Sequence, residues 1–383
     1  MRGYQELLQA AQADTGLADF GTDHFREGLE ILVRALRDEA RLNAVGEAVM
    51  RQRIVGHLKQ RLQVEDWYRR HPQIEDEVIQ SPLIGLGLPR TGSSALACLL
   101  AEDSNARSLL TWEASEPCPP PATVTGTDPR IERARETNRR AGMKSHTPSS
   151  ATGPIECQDL MALDFKAQIF QALAQIPSYS RWLLYADLTS TYLYERRVLK
   201  LLQWKFPAKP WRLKAPTHIL YLDHLDRAFP DARFVMTHRD PTEVMLSVAS
   251  VYADIVGRFT DHLDRPYLAE LNVEQWSLGM KRALAFRDSG ADARFFDIDF
   301  RAMQRDPIGA VKDLYQWLGA PVTEDFEASM SQWWQHNAEN REPSAPLDAA
   351  AFGLDLEQIR PHFADYVARV AVWTRKKGTS HVH

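Results

Sequence analysis

The sequence predicts an α/β fold: a central parallel sheet flanked by helices, entered through a P-loop-like strand–loop–helix unit. A helical N-terminal extension covers residues 1–76, and an α/β domain covers 77–383 with a helical and loop insertion at about 117–206. Three observations lead there. Short apolar runs alternate with helical patterns in the second half of the chain, as parallel strands joined by crossover helices require. The run Ser81-Pro-Leu-Ile-Gly-Leu-Gly-Leu ends in a glycine turn and passes directly into a helical pattern. Residues 1–76 carry apolar side chains at three-to-four spacing, the period of helices packed on a core.

Taken in order, Leu7, Leu8 and Ala11 define a first helix, and Leu29, Ile31, Leu32, Val33 and Leu36 a second. Asp14–Thr22 is the loop between them, and a third helix is expected over 43–63. Residues 81–88 form a buried strand, and Ser94–Ala101 the helix after it. Pro117-Cys-Pro-Pro-Pro121 cannot be regular structure. The stretch 117–155 is therefore a loop, placed to gate an acceptor, with a helix over Pro129–Ala141. Residues 158–206 are mostly helical and rich in aromatics, among them Phe165, Phe170, Tyr179, Trp182, Tyr185, Tyr192, Tyr194 and Trp204. An aromatic stripe at helical spacing is usually packing, and lining an acceptor pocket is the other reading, shared by Trp333 and Trp334. Strands are expected from Trp211, from Ala232 and from Ala293, with helices at about 217–229, 241–252 and 306–318.

Composition narrows the function. Lys and Arg number 46 against 51 Asp and Glu, a net charge of −5, which argues against a general nucleic-acid binder. Cys98, Cys118 and Cys157 match no zinc spacing and cannot close a disulfide framework. A reducing compartment, the cytoplasm by default, fits. The N-terminus has no apolar signal core, and no run approaches the length of a membrane span. Oligomeric state is not readable.

The chemistry concentrates at strand ends, where ligands bind in open parallel sheets. Gly87-x-x-x-x-Gly92-Ser93-Ser94 has Walker A spacing, but Ser93 stands where a nucleoside triphosphatase needs lysine. Arg90 lies inside the loop instead. Pro89, Thr91, Gly92, Ser93 and Ser94 complete it, with the following helix aiming its positive end at an anion. Such a loop suits a single 5′-phosphate linked to sulfate, without magnesium bridging two phosphates. A second anion site is Thr237-His-Arg239-Asp-Pro241 after a strand, with Ser247 eight residues beyond Arg239 on the next helix.

Together the two sites resemble those of sulfotransferases that use 3′-phosphoadenosine-5′-phosphosulfate (PAPS) and release 3′,5′-adenosine bisphosphate (PAP). The loop resembles that family's 5′-phosphosulfate loop, and Arg239 with Ser247 its 3′-phosphate motif. Phe295–Phe300, Asp306-Pro307 and Leu314–Gly319 resemble its usual strand, turn and helix. Lys214-Ala-Pro-Thr-His218 and Phe352-Gly-Leu354 are similar to the bacterial branch. The resemblance implies a P-loop-like sulfotransferase fold, a hydroxyl acceptor and no metal requirement. It implies that Arg90 and Lys214 stabilise the transferred group and that a base deprotonates the acceptor. Two bases compete. Glu113 resembles the glutamate shortly after the loop in tyrosylprotein sulfotransferases. His218 follows a strand-end lysine, as the histidine of cytosolic sulfotransferases does, but two residues later, because Pro216 stands at the corresponding position. A small apolar acceptor (phenol, sterol or lipid alcohol) is expected. The rival readings are a P-loop small-molecule kinase and a non-catalytic nucleotide binder. His238 is expected to fix the strand end, while His146, His262 and His336 show no partner pattern. Asp297 and Asp299 alternate as a metal pair would, but no third ligand stands at useful spacing.

Overall fold

The apolar run after Ser81 becomes β1, Leu83–Gly87, buried along its whole length as an inner parallel strand must be. The chain is described by a computed structural model over residues 3–141, 150–340 and 348–378. Beside β1 stand β2 (Arg107–Ser108), β3 (Trp211–Lys214), β4 (Arg233–His238) and β5 (Phe295–Asp299), in the order β2-β3-β1-β4-β5. Every pairing is parallel, and Ile84 lies between Leu213 and Phe234.

Successive residues of a strand face opposite sides, so the sheet feeds two cores. Ile84, Leu86, Phe234 and Met236 pack with Val244, Met245, Leu268 and Trp276 of the helices Pro241–Val256 and Arg265–Phe286. Leu83, Val235, Phe296 and Ile298 pack with Leu96, Leu99, Val311 and Leu314 of the helices Ser93–Ala101 and Pro307–Leu318. Helix starts follow local chemistry. Asp240, Asp299 and Asp306 each accept a backbone N–H of the helix that follows, and Pro241 and Pro307 occupy first-turn positions.

Two expectations change. The helix expected at about 217–229 is a 3-10 turn, Pro216–Leu220, followed by a shorter helix, Leu222–Ala228. Tyr221 separates them because its backbone (φ −138°, ψ 33°) is not helical. The third helix runs Ala44–Arg70, beyond its expected end at 63. Phe165, Phe170, Tyr179, Tyr192 and Trp204 are core, joined to Leu7, Phe25, Leu29 and Leu58 of the N-terminal helices, whereas Tyr185 is exposed. No helix among the described residues is long and apolar enough to cross a membrane.

Arg61 joins the N-terminal helices to the insertion. It is fully buried, donating Nε to Phe20 O at 2.7 Å, Nη1 to Leu163 O at 3.1 Å and Nη2 to Thr22 O at 2.9 Å. The Asp164 carboxylate lies 3.6 Å away, and the guanidinium stacks 4.0 Å from the Tyr194 ring centroid. Removing one partner of a buried ion pair strands the other and typically costs about 3–5 kcal/mol. Arg61→Ala is expected to lower unfolding free energy by about that amount in urea titrations. A loss below about 1 kcal/mol would show that the joint carries little.

Candidate active site

The loop leaving β1 is shaped by lack of room. A Cβ on Gly87 (φ +127°) would stand 2.9 Å from Thr237 O, and one on Gly92 (φ +83°) would stand 2.6 Å from Met303 Cε. Only glycine takes such backbone without strain. Between them Arg90 also adopts positive φ, +62°. Tertiary contacts hold it there: Arg239 Nη1 donates to Arg90 O at 3.0 Å, and Arg90 Nε donates to Ser247 Oγ at 3.2 Å. Thr91 is buried, donating to Leu88 O at 2.7 Å and meeting Thr237 Oγ1 at 2.6 Å. The loop then enters the helix Ser93–Ala101, whose first N–H groups have no intrahelical acceptor.

The order β3-β1-β4 sets three loops side by side. The helices after β1 and β4 lie on opposite faces of the sheet, which opens a crevice between those two strands. From β3, the buried Lys214 donates Nζ to Ser94 Oγ at 2.9 Å and to Glu156 Oε1 at 2.8 Å. From β4, Arg239 lies 2.9 Å from the Glu243 carboxylate and 4.8 Å above the Phe300 ring, while Glu243 also pairs with Arg301. Arg90, Lys214, Arg239, two serine hydroxyls and a helix N-terminus are thus gathered within one chain of contacts. That assembly suits an anion with more than one charged centre.

The two candidate bases have other partners. Glu113 is the third residue of the helix Thr111–Ser115 and is 3% exposed. It accepts Arg107 Nη2 at 2.8 Å and the Leu110 backbone N–H at 3.3 Å. Burial raises its pKa, and the Arg107 guanidinium opposes the rise. His218 is 1% exposed in the 3-10 turn, its Nδ1 3.0 Å from the Tyr192 hydroxyl, and burial pushes its pKa down to about 3.

Glu156 has no motif, and sequence reasoning missed it. Leu110 pairs with Pro154, Ile155 N donates to Leu109 O at 2.9 Å, and Cys157 N donates to Lys214 O at 2.9 Å. These bonds pin Glu156 between the exits of β2 and β3, half-buried and against Lys214. Also missed is a pocket beside the glycine loop, lined by Arg90, Gly92, Arg239, Phe300, Gln304 and Trp334. Trp334 therefore borders the loop. His238 fixes the strand end: Nε2 meets Asp297 Oδ1 at 2.7 Å and Nδ1 meets the Tyr366 hydroxyl at 3.2 Å. Asp297 also accepts Arg287 Nη1 at 2.7 Å, and Asp299 caps the helix Phe300–Arg305. Phe352 is buried, and Gly353 turns with φ +63°. His262 accepts Gln175 Nε2 through its carbonyl, His336 lies on the helix Glu324–Asn340, and His146 is outside the described residues.

Known proteins share this fold. The sulfotransferase family model matches residues 82–325. Sulfotransferase STF9 from Mycobacterium avium superposes with a TM-score of 0.89 at 30% identity, covering 96% of this chain and 97% of its own. Sulfotransferase STF1 from Mycobacterium tuberculosis superposes with a TM-score of 0.84 at 30% identity, covering 94% and 98%. No curated protein sequence matches.

The Asp297 cluster generates a pH prediction. Arg287 and His238 hold the Asp297 carboxyl well below its ordinary value despite burial. A depressed folded pKa gives stability that is full above the unfolded value of about 4 and is lost as pH falls below it. Asp297→Asn is expected to lower the thermal midpoint at pH 7 and to flatten its dependence between about pH 4 and 2. An unchanged acid limb would show that other carboxylates set it.

Proposed function

The chain belongs to the sulfotransferase family, and we propose that it moves a sulfonate group from PAPS to the hydroxyl of a small apolar acceptor, a phenol, sterol or lipid alcohol. The observation that carries this reading is the contact chain at the strand ends. Lys214 touches Ser94 at the start of the loop helix, while Arg90 touches Ser247 and is held by Arg239. Two cation groups on adjacent strand exits suit a donor with a phosphosulfate at one end and a 3′-phosphate at the other.

In this reading Pro89, Arg90, Thr91, Gly92, Ser93 and Ser94 cradle the 5′-phosphosulfate, and Arg239 and Ser247 take the 3′-phosphate. Gly92 fits the role, since its positive φ lets the loop turn into the helix where a side chain would collide with Met303 and Phe300. Phe300 and Trp334 offer flat apolar faces for the adenine. The donor supplies an electrophilic sulfur. The acceptor oxygen forms a bond to it as the bond to the bridging phosphate oxygen breaks, and PAP leaves with that oxygen. Arg90 and Lys214 hold the charge that develops on the sulfonate and bridging oxygens, and such charge stabilisation does most to lower the barrier of an in-line transfer. Ser93 at the Walker lysine position supports a donor other than a magnesium triphosphate.

Glu156 is the carboxylate best placed to accept the acceptor's proton. It is partly open to solvent and its neighbour Lys214 lies where the sulfonate is expected. Glu113, held by Arg107, and His218, beside Tyr192, are both buried away from solvent, whereas Glu156 is partly open.

PAP without magnesium is expected to raise the thermal midpoint, and incubation with PAPS and a panel of phenols, sterols and alcohols to yield a product heavier by one sulfonate. Stabilisation by magnesium–ATP alone would point to a kinase, and PAP binding without turnover to a nucleotide binder. Glu156→Gln is expected to cut kcat by about 10²–10⁴-fold with PAP binding retained. If Glu113→Gln or His218→Asn alone does so and Glu156→Gln does not, the base is that residue.

A further inference from the structure

Behind the exit of β3, three segments bring together groups to which the proposed transfer assigns no step. Cys157 caps the short helix Gln158–Met161, Glu195 lies in the helix Thr189–Gln203, and His218 lies in the turn Pro216–Leu220. The Cys157 sulfur, a Glu195 carboxylate oxygen and a His218 ring nitrogen all lie within 4.8 Å of one another, with no residue more than 1% exposed. Glu195 Oε2 is buried without a hydrogen-bond partner. We propose that these three side chains form a binding site for one zinc ion, which ties the Glu156–Cys157 segment to the end of β3.

The donor set favours this metal. Thiolate and imidazole are zinc ligands, and a carboxylate is an accepted third. Thiolate, carboxylate and neutral imidazole sum to two negative charges, matching the ion. Without an ion, burial works against the ligand form of two of the groups. Burial raises the Cys157 thiol well above its ordinary value and also raises the Glu195 carboxyl. A divalent cation reverses this logic, because a coordinating thiol is deprotonated outright. Tyr192 meets the His218 ring at Nδ1 at 3.0 Å. Tetrahedral zinc needs donor atoms about 3.3–3.7 Å apart, given bonds of about 2.0–2.3 Å. Side-chain movement of about 1 Å brings the three donors to that spacing and leaves the fourth position for a water.

The position explains the use. Cys157 N donates to Lys214 O at 2.9 Å, so the ion adds a side-chain link beside a backbone one. The role is structural and independent of the transfer reading, and it is read without any activity assay.

Protein purified without chelators is expected to carry about one zinc per chain by elemental analysis. Metal-stripped protein titrated with cobalt is expected to develop thiolate-to-cobalt charge-transfer absorption in the near ultraviolet, saturating at one equivalent. Cys157→Ser should abolish that absorption, and Glu195→Gln and His218→Ala should weaken binding at least about 10-fold. Cys98→Ala and Cys118→Ala should leave it intact. If Cys157→Ser does not fold, the wild-type cobalt spectrum and the Glu195→Gln titration decide. Wild-type protein that retains no zinc and gives no such absorption overturns the proposal, as does binding unaffected by substitution of Cys157 and His218.

Discussion

At the two ends of the loop that leaves β1, the carbonyl of Thr237 leaves no room for a side chain at Gly87, and Met303 and Phe300 leave none at Gly92. That steric limit decides where the chain turns, and the turn decides where the helix Ser93–Ala101 begins. Because β1 is flanked by β3 and β4 in register, the turn falls between Lys214 and Arg239. The cations gather there because one backbone path is permitted, and neighbouring strands end beside it. The positive φ of Arg90 belongs to the same limit. Its carbonyl is bonded by Arg239 and its side chain by Ser247, so neighbouring contacts offset a conformation that costs an ordinary residue about 1–2 kcal/mol.

Guanidinium groups fasten the helical envelope to this frame. Arg61, Arg130 and Arg287 are buried, and each has both polar acceptors and an aromatic face. Arg130 pairs with Asp128, donates to Glu116 O at 2.7 Å and stacks on Trp112. Arg287 holds Asp297 and lies 3.6 Å from the Trp373 ring centroid, which draws the C-terminal helix Ala364–Gly378 onto the edge of the sheet. The planar fork satisfies several acceptors while its face stays against a ring, which an ammonium cannot do. Through His238, the same cluster anchors the backbone that carries Arg239.

Much of this architecture was legible in the sequence, and the gaps have physical causes. β1, β3, β4 and β5 announced themselves as apolar runs next to helical patterns. β2 did not, because Arg107-Ser108 is two polar residues that become a strand only by pairing with β3. The glycine loop, Lys214 and Arg239 could be placed at strand exits from the sequence because each follows its apolar run directly. Glu156 was not, because it reaches Lys214 only after Leu110 pairs with Pro154 across more than forty residues of chain. Glu113 and His218 stand at suggestive spacings, and spacing does not report their partners Arg107 and Tyr192, which only the tertiary fold supplies. Cysteine spacing likewise carried no sign of the Cys157, Glu195 and His218 trio, whose members are joined only by the tertiary fold.

The central place of β1 also bears on how the chain acquires its structure. Its partners on either side, β3 and β4, follow it by about 130 and 150 residues. Loops that long must close before the pairings reward them, which makes such sheets slow to form. During synthesis β1 has neither partner until most of the chain is made, and both its edges offer unpaired amides and carbonyls. The N-terminal helices and the insertion share a core and are complete before β3 emerges. They are therefore in a position to shield β1 while it waits, which gives the helical envelope a role in the birth of the sheet.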